Sequence, residues 1–323
     1  MNRFVRLFLA SVMIAASCFV HAADAWPSRP LKFIVVAPAG SSLDVIARLI
    51  GDKLKDRLGQ PVVVDNKPAA GGTAGTGEVA KSPPDGYTLV MSYNGPLAFG
   101  PYLYSKLPYD PQKDLAPVII TTNQPNLLVV NAGVPVNNVQ ELIAFAKANP
   151  GKFNYASVGN GSSSHLTMEW LKTKAGFDAL HVPFNGAPPA LTSVLAGDTQ
   201  ALFTVPTVLI PHVKAGKLKA LAVTGRTRYA LLPDVPTMME AGVKDFEANA
   251  WNGVLVAGGT PPEIVARLNQ EIDAILKDPE VKAKLNTAGL DPVGGPPQAF
   301  RDLIRSESER WGPVIKATGA KID

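Results

Sequence analysis

Two runs of small residues in this chain could do chemistry, Pro38-Ala-Gly-Ser-Ser42 and Gly159-Asn-Gly-Ser-Ser-Ser164. Neither contains Lys or Arg, yet each follows a β-like run and leads into a helix-like one. A helix N-terminus carries amides that lack intrahelical acceptors and about half a positive charge, so it binds an anion without a cationic side chain. Glycine lets the backbone approach closely, and serine hydroxyls add donors. The chemistry this combination suits is the cradling of a carboxylate, and one loop in each half of the chain would grip an acid from two sides. For a single loop, a turn capped by Ser164 is the favoured reading. The paired occurrence favours binding. Asp44 falls in a first helical turn, where a carboxylate is favourable to the dipole, and reads as support for its loop ahead of a direct ligand contact.

Other residue patterns point away from catalysis. Gly71-Gly72-Thr-Ala-Gly75-Thr-Gly77 has the reverse order of the dinucleotide fingerprint and no Lys-Ser/Thr after it, so the glycines read as structural. His165, His181 and His212 have no metal-ligand spacing, and no metal or cofactor is expected. Ser162, His181 and Asp198 are the residue types of a nucleophile, a base and an orienting acid, but the chain has no G-x-S-x-G elbow. His165 is expected in the first turn of its helix as a cap or packing residue. Trp251 is expected as core or as one wall of a cleft.

The elements that must position these loops alternate. Runs rich in β-branched residues at 31–37, 62–64 and 88–92 are interleaved with helical periodicity over 45–58 and near Glu78. A second series has strands at 127–130, 154–158, 201–205 and 219–224, with helices over 139–148 and from His165. This predicts two α/β units with mainly parallel strands, and open α/β sheets bind ligands at the carboxyl ends of their strands. The tail returns to helix. Thr260-Pro-Pro-Glu263 reads as a capping box with Pro at the first helical position, Asp278-Pro279 starts another helix, and a last one covers 298–316. Pro313 is expected to kink that helix or end it early.

At 323 residues and 46% hydrophobic, the chain is long and apolar enough for a two-lobed globular protein. Arg3 and Arg6 ahead of an apolar run from Leu7 to Val20, then Ala22, Ala23 and Ala25, predict a signal peptide over 1–22, cleaved after Ala22 or Ala25. Cys18 lies inside it and is preceded by Ala15-Ala16-Ser17, a poor lipidation signal, so the mature chain is expected to hold no thiol and no lipid anchor. Without Arg3 and Arg6 the 31 basic side chains become 29 against 27 acidic ones, a net charge of about +2 that offers no basic patch for nucleic acid.

Several stretches in order carry a resemblance to a family: Arg29-Pro-Leu-Lys-Phe-Ile-Val-Val36, Asn66-Lys-Pro-Ala-Ala-Gly-Gly72, Ala80-Lys-Ser-Pro-Pro-Asp-Gly-Tyr-Thr-Leu89, Leu107-Pro-Tyr-Asp110, Asn154-Tyr-Ala-Ser-Val-Gly-Asn-Gly161, His181-Val-Pro-Phe-Asn-Gly186, Leu221-Ala-Val-Thr224 and Leu232-Pro-Asp-Val-Pro-Thr237. Over essentially the whole mature length the chain resembles the Bug-type extracytoplasmic solute receptors of tripartite tricarboxylate transporters. The resemblance implies a periplasmic-binding-protein-like fold (type II), with two α/β lobes joined by crossing strands. It implies a monomeric periplasmic receptor, without catalysis, that closes on a small organic acid (a di- or tricarboxylate or an aromatic acid) and delivers it to membrane permease subunits. The corresponding lobes are 26–126 with 248–323, and 127–247, the last helix being free to pack on either.

The family's ligand loops fall on Ala39, Gly40, Ser41, Ser42 and Asp44, then on Ser157, Asn160, Gly161, Ser162, Ser163 and Ser164, and finally on Asn185 and Gly186. Ser41, Ser42 and Leu43 stand where the family has glycines, and Thr204 stands where many members have Asp. Without that anion an ammonium group is poorly accommodated, so a plain organic acid is expected over an amino acid. Two rival readings share the same site. One is a sensory receptor that presents the acid to a signalling partner, and the other is a hydrolase on the same fold.

Overall fold

A computed structural model describes residues 26–322. The signal peptide expected over 1–22, with Cys18, lies outside the described residues. The strands are β1 (Leu31–Val35), β2 (Val62–Asn66), β3 (Thr88–Tyr93), β4 (Leu115–Pro125), β5 (Leu127–Asn131), β6 (Asn154–Ser157), β7 (Leu180–Pro183), β8 (Ala201–Thr204), β9 (Leu218–Val223) and β10 (Asn249–Ala257). The helices are α1 (Ser42–Leu58), α2 (Thr73–Ala80), α3 (Gly100–Leu103), α4 (Val139–Ala148), α5 (Ser163–Ala175), α6 (Ala187–Ala196), α7 (Ile210–Lys214), α8 (Pro262–Lys277), α9 (Pro279–Thr287) and α10 (Pro297–Thr318).

Two five-stranded sheets result, ordered β2-β1-β3-β10-β4 and β7-β6-β8-β5-β9. Both are mixed, which corrects the expectation of mainly parallel strands. β1 runs parallel to β2 and β3, but β10 is antiparallel to β3 and β4. Likewise β6 is parallel to β7 and β8, while β5 is antiparallel to β8 and β9. The reason is topological. β4 leads from the first sheet directly into β5 of the second, and β10 brings the chain back after β9, so the crossing strands enter against the βαβ direction.

Each sheet is covered on both faces, which is why its strands read as continuous apolar runs. In the first lobe Phe33, Ile46, Ile50 and Ile272 pack on one side, and Phe99, Trp251, Phe300 and Trp311 on the other. In the second, Leu142, Tyr155, Met168 and Phe203 form one layer, and Leu127, Val129, Leu191, Val194 and Leu202 form the opposite one. The last helix packs on both lobes. Trp311 of α10 meets Phe99 at a ring separation of 5.0 Å and Trp170 of α5 at 5.3 Å.

Helix ends agree with the sequence at the close of α1 but not in the tail. Gly59 closes α1 in the left-handed conformation, its amide bonding the Lys55 carbonyl. The capping box at Thr260 does not form. A residue before proline is held extended, so Pro261 (φ −51°, ψ 134°) stays outside the helix and α8 starts one residue later, at Pro262. The Thr260 hydroxyl donates back to the Ala257 carbonyl instead. α10 continues through Pro313 to Thr318, so that proline does not end it. No helix among the described residues is long and apolar enough to cross a membrane.

Candidate functional site

Where β1 ends, the chain turns through residues 36–40 and enters α1. Ser41 caps that helix by accepting the Asp44 amide at 3.3 Å. Asp44 is buried, and its carboxylate accepts from the Gly40 amide (2.9 Å), Arg48 Nε (3.0 Å) and Asn66 Nδ2 (2.9 Å). Burial pushes this carboxyl up, but the bonds from Arg48, Gly40 and Asn66 outweigh it and hold the group below its usual range. Asn66 also donates to the Ala37 carbonyl, so a strand-end amide and a helix carboxylate fix the loop from two sides. With the Asp44 amide capped, the amides of Ser42 and Leu43 remain without intrahelical acceptors.

The second loop repeats this plan. Ser162, not Ser164, is the N-cap of α5: it accepts the His165 amide at 3.3 Å and donates to the Gly159 carbonyl at 2.6 Å. The Ser163 and Ser164 amides then stand as the open pair. Behind them, the Ser164 hydroxyl donates to the Phe203 carbonyl, tying the loop to β8. Ser157 Oγ lies 2.6 Å from His181 Nε2, and the Gly161 amide donates to His165 Nδ1 at 3.2 Å. The two imidazoles stack with centroids 4.0 Å apart. Burial pushes His165 down to about 4 and His181 down to about 3, so both are neutral at pH 7.

The remaining rim is made of tight approaches between lobes. Gly186, at φ 102°, caps α6, and its amide bonds the Val158 carbonyl, which joins the third loop to the second. A Cβ on Gly186 would stand 3.0 Å from Pro38, and one on Gly71 only 2.6 Å from the Asn160 carbonyl oxygen. The strand crossings are bonded to each other: the Asn126 amide donates to Thr224 Oγ1, and Asn126 Nδ2 and Thr224 Oγ1 both donate to the Ala248 carbonyl.

These loops surround a cavity of about 370 Å³ between the sheets. Of the residues singled out from sequence, Ser41, Ser42, Asn160, Ser162, Ser163, Asn185, Gly186 and Thr204 line it. Ala39, Gly40, Asp44, Ser157, Gly161 and Ser164 are not part of its wall. Asp44, Ser157 and Ser164 spend their polar atoms on the loops themselves, as described above. A Cβ on Gly161 would meet Leu103 at 2.8 Å and Ile322 at 3.0 Å, so that position faces packed side chains. Ser162, His181 and Asp198 form no triad, because His181 bonds Ser157 and the Ser162 hydroxyl is engaged by Gly159. Among the described residues no group of His, Cys, Asp or Glu could hold a metal.

Sequence reasoning missed much of the wall. Gly71 and Gly72, read as structural, border the cavity, as do Tyr93, Tyr104, Gln124, Asn126 and Phe184. Trp251 is both core and wall, at 1% exposure, with Nε1 donating to Glu307 at 3.3 Å. Tyr93, Gln124, Asn126 and Phe184 lie at or just beyond strand ends, which is the sequence signal that could have found them, whereas Gly71, Gly72 and Tyr104 lie in helix-flanking turns and carry none.

Residues 46–320 match the family model described as the tripartite tricarboxylate transporter family receptor. The chain is 38% identical to Protein BugT of Bordetella pertussis, over 98% of this chain and 97% of the relative. It superposes with TM-score 0.87 on R. palustris Rpa4515 with adipate, at 35% identity over 91% of this chain and 98% of that one. It superposes with TM-score 0.86 on the periplasmic binding protein BugD, at 32% identity over 92% and 99%.

Proposed function

The chain belongs to the tripartite tricarboxylate transporter receptor family, and from that premise we propose that it captures a small organic carboxylate between its lobes and delivers it to the membrane subunits of such a transporter. The observation that carries this reading is the pair of serine-capped helix ends, α1 from one lobe and α5 from the other, at one cavity. Their open amides and dipoles supply donors to an anion. Adipate in Rpa4515 supports an acid as ligand.

The reading assigns 26–126 with 248–323 to one lobe and 127–247 to the other. It places the protein in the periplasm, in line with the periplasmic binding protein BugD, as a monomer freed of residues 1–22. Contact with the acid falls to Ser41, Ser42, Asn160, Ser163, Asn185, Gly186 and Thr204, with Asp44, Ser157, Ser162 and Ser164 holding the loops. Binding without turnover is the expected chemistry.

A thermal-shift screen over organic acids tests this. A receptor's melting temperature rises with the logarithm of ligand concentration above its dissociation constant. At least one acid should do so and be recovered unchanged; hydrolysis of an ester panel without any such shift would contradict the reading.

A further inference from the structure

Resting on the receptor reading for its purpose, we propose that the chain beyond α10 is a latch: Ile322 joins the two lobes beside the cavity, favours the closed form and slows release of the acid. α10 ends at Gly319, whose left-handed conformation (φ 68°) turns residues 320–322 back along the first lobe. There the Ile322 amide donates to the Leu103 carbonyl at 2.9 Å. Leu103 is the last residue of α3, and a helix-end carbonyl needs a partner from outside its helix, so this bond gives the segment a fixed seat. The Ile322 side chain is half-buried against the core face that includes Leu103 and Trp311, and it also lines the cavity. The family match ends at residue 320, short of this contact.

The second lobe meets this seat at Gly161. A Cβ there would stand 2.8 Å from Leu103 and 3.0 Å from Ile322, so the bare glycine of the second loop fits against these two side chains with no room to spare. Gly95 completes the socket, since a Cβ on it would lie 2.9 Å from the Gly161 carbonyl oxygen. Ile322 therefore holds its own lobe by a hydrogen bond and meets the other through its apolar side chain. Opening can leave the bond to Leu103 in place and give up only the contact with Gly161, which is what a releasable catch needs. The amides next to this contact are those of Gly161 and Ser162, which donate to His165 Nδ1 and to the Gly159 carbonyl and so place the cradle of α5. Loosening Ile322 loosens them.

Hydrogen exchange on the unliganded mature protein, wild type beside Ile322→Ala, tests the latch without a ligand. In the variant the amides of residues 159–162 should exchange at least about fivefold faster, while those of α10 and the melting temperature hold. Unchanged exchange at 159–162 overturns the latch, and faster exchange confined to residues 100–104 overturns it too, because Ile322 would then only pack on its own lobe. Stopped-flow binding reads the release itself. With adipate, the acid held by Rpa4515, or with the tightest acid of the screen should adipate not bind, the dissociation rate should rise about fivefold or more in Ile322→Ala with the association rate nearly unchanged. An unchanged dissociation rate contradicts control of release. If residues 159–162 loosen but no acid of the screen binds either form, the receptor reading fails and the contact between the lobes stands.

Discussion

The residues that hold the second loop are as informative as those that face the cavity. His165 accepts the Gly161 amide through Nδ1, which it can do only while that nitrogen is unprotonated. Unfolded histidine titrates near 6.5, whereas these two remain neutral to about 4 and about 3 in the fold. Between those limits the unfolded chain binds more protons, so stability must fall as pH falls from about 6.5 towards 3. Melting curves at pH 7, 5.5 and 4 should show a decline that is shallower in His181→Asn; a flat profile between pH 7 and 5 would contradict this. Asp44 acts in a lower window, because its carboxyl is held below its usual range and its support is lost only under more acid conditions. Its role as loop support was readable from its place in a first turn. The histidine stack was not, because it joins α5 to β7 across positions 165 and 181.

At the scale of elements, strand-to-helix loops were the most legible feature, since glycine and serine at a strand end have few other uses. The cap itself was misassigned: Ser164 has the right type, but its hydroxyl is taken by β8, and Ser162 caps α5. Ser162→Ala should cost about 0.5–2 kcal/mol of stability, the range for losing an N-cap. Affinity should fall by less than about tenfold, because this hydroxyl already donates to Gly159 and acts by placing the loop. Complete loss of binding with an unchanged melting curve would show direct contact instead. β4 and β10 escaped the strand reading. Both are nearly continuously buried, and a buried apolar run carries no period to separate strand from helix.

At the scale of the whole molecule, the wall was illegible because it is assembled from distant segments. Tyr93, Gln124, Phe184 and Trp251 become neighbours only through the two crossings and the apposed lobes. The same apposition makes a prediction. Gly71 stands so close to the Asn160 carbonyl that a methyl group should hold the lobes apart. Gly71→Ala should raise the dissociation constant by about tenfold or more, and small-angle scattering at matched ligand concentration should show the more open form. Wild-type affinity in this variant would mean that closure does not bring these loops together.

The most direct test of carboxylate capture is calorimetric titration with the best acid from the screen beside its own neutral amide. The two share a body and differ in the charge that α1 and α5 are placed to meet. The acid should bind with one site per chain and the amide should lose nearly all affinity; equal affinity for both would contradict the anion cradle.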